Sequence, residues 1–194
     1  SPWGLSLSLN TWASREPLFF PGVTVNYDYD ILSIGGTVIH QLNLNHQVEA
    51  GATFFIEEYV KSATQFSEIT PGPEALTEPK ILTKWEYKAN FLNYHLFYLT
   101  GLTWRTTLQN VYNINDGYWF HNLQFQGRYF KRISQQGNLA MRLRLGIATN
   151  NDTPFAPYVL DSHVNLRGVG NRIDRGTAQV IYNLEYRHTI QQST

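Results

Sequence analysis

Apolar and polar residues alternate with a period of two along nearly the whole chain, and helical spacing is hard to find. Trp3, Leu5, Leu7 and Leu9 alternate with Gly4, Ser6, Ser8 and Asn10. Val23, Val25, Tyr27, Tyr29 and Ile31 alternate with Thr24, Asn26, Asp28 and Asp30; this run extends towards Gln41, with a parity change between Ser33 and Gly36 that predicts a bulge. Further runs carry Val48–Ala50–Ala52–Phe54–Ile56, Ile81–Thr83–Trp85–Tyr87–Ala89–Phe91, Leu102–Trp104–Thr106–Leu108 and Trp119–His121–Leu123–Phe125–Gly127–Tyr129 on one face. Leu139–Met141–Leu143–Leu145–Ile147 and Val180–Tyr182–Leu184–Tyr186 complete the set. Side chains of a strand point alternately to its two faces, so these runs predict eight half-apolar strands.

A soluble sandwich also alternates. The charges separate the two readings. On the polar face of the eight runs lie Asp28, Asp30, Glu49, Glu57, Glu86 and Glu185, with Lys84, Lys88, Arg105, Arg128, Arg142, Arg144 and Arg187; the apolar face carries none. Balanced ions on one face and only apolar groups on the other suit a barrel that is apolar outside and ionic inside. A bilayer core accepts strands only when their backbones pair all the way round. The expectation is therefore an all-β fold: a transmembrane antiparallel β-barrel of about eight strands, in a single domain over residues 1–194.

The connections agree. Segments 43–47, 93–97 and 134–137 are short, whereas 13–22, 61–80 and 150–176 are long, with 113–117 the short exception. Short turns on one side and long loops on the other is the outer-membrane arrangement, and an even strand count puts both termini on the periplasmic side. Trp3, Trp12, Tyr87, Trp104, Tyr118, Trp119 and Tyr129 supply the expected interfacial girdles.

Composition narrows the function. Fifteen Lys+Arg balance fifteen Asp+Glu, which argues against a nucleic-acid partner. The absence of Cys excludes thiolate zinc sites, cysteine nucleophiles and disulfides. Charged residues make up 15% of the chain, well below the roughly 25% of soluble domains, so a surface not solvated by water is expected. No apolar run is long enough for a spanning helix, and no signal-peptide pattern opens the chain. His40, His46, His95, His121, His163 and His188 show no metal-binding spacing, so no metal and no cofactor are expected. Asp161-Ser162-His163 has the residue types of a triad, but neighbours in sequence do not present one. Gly168-x-Gly170 precedes a strand and is no dinucleotide fingerprint. The reading is non-enzymatic.

The segment Leu166-Arg167-Gly168-Val169-Gly170, on the longest loop, followed by Asn183-Leu184-Glu185-Tyr186-Arg187 on the last strand, resembles the outer-membrane assembly-factor superfamily, the BAM/TAM-type barrels or bacterial surface antigen family. Arg142, Arg144 and Gly146 on the strand before the loop, Pro154-Phe155, and Tyr98-Leu99-Thr100-Gly101 are similar as well. The resemblance is concentrated over residues 138–190. It implies that the extracellular loop folds back into the lumen, where Arg167 pairs with Glu185; strand parity sets a lumenal charge network of Arg142, Arg144, Arg187, Glu49 and Glu86 on the same face. A buried Arg needs a carboxylate, and its planar fork takes one bidentately. Family barrels have sixteen strands and periplasmic POTRA modules, so this chain is expected to be a short member or a part, without POTRA domains.

The resemblance implies a bacterial outer-membrane protein that helps insert or translocate client outer-membrane or secreted proteins, through a weak seam between first and last strands. A corollary is a homodimer joined through those strands into a sixteen-stranded barrel or pore. Two alternatives come from other classes. One is a non-catalytic small barrel for adhesion or ligand binding, the other an outer-membrane lipid-modifying enzyme using Ser162 and His163.

Overall fold

A computed structural model describes residues 2–20, 22–62, 71–150, 157–160 and 174–188. These form only strands and connections, with no helix among them. In chain order the strands are β1 (Trp3–Phe20), β2 (Val23–Asn43), β3 (His46–Lys61), β4 (Ala75–Tyr94), β5 (Leu99–Asn113), β6 (Tyr118–Arg132), β7 (Gly137–Ala148), β8 (Tyr158–Leu160), β9 (Asp174–Gly176) and β10 (Ala178–His188). One antiparallel sheet runs β1-β2-β3-β4-β5-β6-β7-β10, and β8 and β9 make a separate small hairpin. The eight long strands include every run of alternation in the sequence.

Closure of the sheet is not found: among the described residues no strand pairs with the free edge of β1 or of β10. The sheet is nevertheless rolled. Arg175 lies two residues before Thr177, whose carbonyl accepts the Ala148 amide at the end of β7. Arg175 also binds Glu16 on β1 at 2.9 Å. Seven strand spacings separate β10 from β1, about 34 Å in a flat sheet. Two extended residues and the two side chains reach only about 18 Å. Only curvature brings the two edges that close.

Two connections and one strand detail differ from expectation. Residues 13–22 are not a long loop: β1 runs on to Phe20 and β2 starts at Val23, paired directly with it. Likewise β4 begins at Ala75, inside the span expected to be loop. No bulge interrupts Ser33 to Gly36, which pair in unbroken register with both neighbours; the shift lies at Gln41/Asn43.

The parity change at Ser33–Gly36 has another cause. Along β2 the same face holds Val25, Tyr27, Tyr29, Ser33, Gly35 and Thr37, and the opposite face holds Asp28, Asp30, Leu32, Ile34 and Val38. Near the turn end, apolar residues face outwards: Leu32, Ile34 and Val38 are exposed. Towards the loop end the polarity inverts. Val25 and Tyr27, both 0% exposed, turn inwards with Leu18, and Phe20 and Tyr59 pack against them. Asp28 and Asp30, expected on the ionic face, stand instead on the outer one. Arg15 of β1 pairs there with Asp28 at 2.9 Å. One strand thus passes from an apolar outside to an apolar inside without a break.

Candidate functional site

The inner face is built by parity. Glu49 of β3 lies opposite Glu86 of β4, and Glu57 opposite Glu78. Two like charges facing each other are unfavourable unless cations intervene. Here they do. Lys84 lies 3.7 Å from Glu49 and 3.3 Å from Glu86, and Lys88 contacts both, at 2.9 Å from Glu86. Arg105 of β5 approaches Glu86 at 3.7 Å, and Thr107 donates to the same carboxylate at 2.9 Å. Lys80 bridges Glu57 (2.6 Å) and Glu78 in the same manner. The β3–β4 wall is therefore a self-neutralised ionic lattice.

The opposite wall differs. Arg128 of β6 faces Arg142 of β7, with Arg144 one inward position further along. Arg142 Nε donates to Asn183 at 3.0 Å and Arg144 Nε to Gln126 at 2.7 Å. Glu185 and Arg187 pair at 2.8 Å on the inner face of β10, both substantially exposed at the sheet edge. Of the five residues expected to form one charge network, Glu49 and Glu86 share one ion cluster. Arg142 and Arg144 sit on the far wall, and Arg187 is at the edge with Glu185. Between the walls lie polar cavities of about 410 Å³, lined by Gln47, Lys88, Arg105 and Arg128, and about 240 Å³, lined by Lys84, Glu86, Gln124 and Arg144.

Leu166, Arg167, Gly168, Val169 and Gly170 lie outside the described residues, as do Pro154, Phe155, Ser162 and His163. The described parts of the same loop fold onto the inner face. Tyr158 of β8 is buried and donates to Asn122 of β6 and, at 3.3 Å, to the Leu123 carbonyl. Its ring rests on Gly146, where a Cβ would come within 2.5 Å of it, so only glycine leaves the ring its place. Burial pushes the Tyr158 phenol up to about 12.

Across the hairpin Val159 pairs with Arg175, and Arg175 reaches Glu16, which also accepts from Ser14 at 2.8 Å. A continuous path thus runs from β6 through the loop root to β1. Glu16, Lys80 and Glu78 escaped sequence reasoning because they fell in presumed loops. The alternation of Ser14, Glu16, Leu18 and Phe20 was the available signal, reversed in polarity.

On the outer face, aromatic groups gather at both ends of the apolar band. Trp3 stacks on His40 at 3.9 Å, and His46, Tyr87, Phe91 and Trp104 form a cluster at the turn end. At the loop end Tyr112 packs on Trp119 at 4.9 Å. Of the girdle residues named above, Trp12 and Tyr118 fall on the inner face instead. No group of three or more potential metal ligands occurs among the described residues.

Fold and site together define a rolled, eight-stranded antiparallel sheet with an ionic inner face and an apolar outer one. The chain matches no protein-family model and no curated protein.

Proposed function

We propose that this chain is a bacterial outer-membrane β-barrel of the assembly-factor type, which helps insert or translocate client proteins at its seam. The observation that carries the reading is the outer face. Leu9, Ile34, Phe54, Trp85, Leu108, Leu123, Ile147 and Val180, one on each of eight adjoining strands, are all exposed large apolar groups. A contiguous exposed patch on this scale marks contact with lipid or protein. From Ile81 to Phe91 the outward residues span about 34 Å along the strand. At the tilt of about 40° usual for such barrels this gives about 26 Å of height, against an apolar band of about 25 Å. No described helix is long and apolar enough to cross a membrane, which leaves spanning strands untouched.

The assembly role rests on the resemblance in the loop and on the two sheet edges that no described strand covers. An unpaired edge is a template for another strand. Edge strand β1 suits that use, because Gly4, Ser6 and Ser8 offer little inner packing. The same edges would let two chains join into a sixteen-stranded homodimer. The test is reconstitution in lipid vesicles, followed by the folding rate of a urea-denatured small barrel added outside. Faster folding than in empty vesicles, lost in Arg167→Ala, supports the assembly reading; equal rates refute it. The outer halves of β1–β4 favour a second reading, in which the barrel anchors a platform for adhesion or ligand binding. Equal folding rates together with membrane insertion would point to that role.

A further inference from the structure

We propose that the Arg175–Glu16 ion pair is a clasp on the seam: it holds the root of the long loop to the first strand, keeps the β1 and β10 edges facing each other, and must open before β1 can accept another strand. The pair joins residues 159 positions apart, at 2.9 Å. Its two side chains are only 13% and 11% exposed. The Arg15–Asp28 pair, on neighbouring residues of β1 and β2, is 60% and 49% exposed. Removing one partner of a buried pair leaves an uncompensated charge, whereas exposed pairs contribute little.

The clasp has a rigid mounting at each end. Glu16 lies on the same face of β1 as Leu18, which forms the buried cluster with Val25 and Tyr27, and as Phe20, which packs against that cluster. Arg175 is fixed through its hairpin partner Val159 to Tyr158, seated on Gly146 and bonded to Asn122. Tension in the clasp therefore links β6–β7 to β1 directly, without passing through the intervening strands. Below it, β1 from Trp3 to Asn10 is exposed on both faces, and β2 is its one strand partner among the described residues. The clasp is distinct from Arg167 and Glu185, since it uses a different loop residue and a different strand. Its place in strand capture rests on the proposed barrel function; its effect on the edge does not.

Hydrogen exchange of the full chain in detergent micelles tests it, with Glu16→Gln, Arg175→Gln, the charge-exchanged double variant Glu16→Arg/Arg175→Glu, and Arg15→Gln as control. The expected result is exchange at least tenfold faster for β1 amides in each single variant, recovery to within about threefold in the double variant, and no change in the control. Unchanged β1 exchange in both single variants overturns the clasp, and so does failure of the double variant to recover. If β4–β5 amides also exchange fast in Arg175→Gln, that variant has lost the sheet. Arg175→Lys then takes its place, with an intermediate rate expected and a wild-type rate counting against the clasp. Dilution from detergent separates the two proposals: a chain that stays soluble refutes the membrane reading whatever the exchange shows.

Discussion

The turn-end and loop-end halves of the first strands use the same backbone and opposite polarity. In the turn-end half Leu5, Leu7, Leu9, Ile34 and Phe54 face out, and Ser6, Ser8, Thr37 and Glu49 face in. In the loop-end half Leu18, Val25 and Tyr27 face in, and Arg15, Asp28 and Glu58 face out. Continuous ladders of hydrogen bonds carry both halves, so the backbone does not distinguish them. On the proposed membrane reading the solvent does: an outer surface that passes from an apolar medium into water gives a reason to exchange the faces in mid-strand. The half beyond the band is held as a soluble sheet is, by a small apolar core.

Breaking the loop-end core should have the largest effect. Tyr27→Ala removes a fully buried ring that also bonds to the Pro73 carbonyl at 2.8 Å. A cost of about 3–5 kcal/mol is expected for such a truncation. Hydrogen exchange should show it as lost protection in the loop-end halves of β1–β3, while the band keeps its protection.

Next comes a charge on the outer face. Ile34→Arg should destabilise by about 2–4 kcal/mol, the cost of Arg near the bilayer midplane. Asp30→Arg, on the same face of the same strand but beyond the band, should leave the urea midpoint of vesicle-inserted protein nearly unchanged. Equal effects at the two positions would remove the distinction between the halves.

Gly146→Val sharpens the loop-root contact. The Cβ has no room beside the Tyr158 ring, and overpacking of this kind costs about 1–3 kcal/mol. The displaced phenol should titrate nearer the ordinary tyrosine value of about 10 than its buried value of about 12, as read by ultraviolet absorbance.

The eight strands were legible because strict alternation survives any choice of tertiary context. The ionic lattice was legible in part: Glu49, Glu86, Lys84 and Lys88 share a face by parity alone. What misled was the assumption that one face stays polar along a whole strand. It turned the inversion in β2 into a bulge, placed Asp28 and Asp30 inside, and read residues 13–22 as loop. Glu16 was lost with that loop. The contact between Arg175 and Glu16 depends on curvature of the whole sheet, and no local pattern encodes a pair 159 residues apart.

The smallest expected effect is on the exposed pair. The hydrogen bond from Arg15 holds the Asp28 carboxyl below the usual carboxylate range. A lowered folded-state value means stability that is present above the ordinary carboxylate pKa and fades as the pH falls through the lowered one. Arg15→Gln should therefore flatten the acid limb of the loop-end half's stability, followed by its urea midpoint against pH, and leave neutral pH almost unchanged.

The central claim, that the outer face of the band meets lipid, is tested most directly by tryptophan quenching. Trp85 on the outer face and Trp12 on the inner face are about equally exposed, at 58% and 57%. In vesicles of brominated lipid, a variant retaining only Trp85 should be strongly quenched, and one retaining only Trp12 should not. Equal quenching of the two, or none at Trp85, would contradict the account.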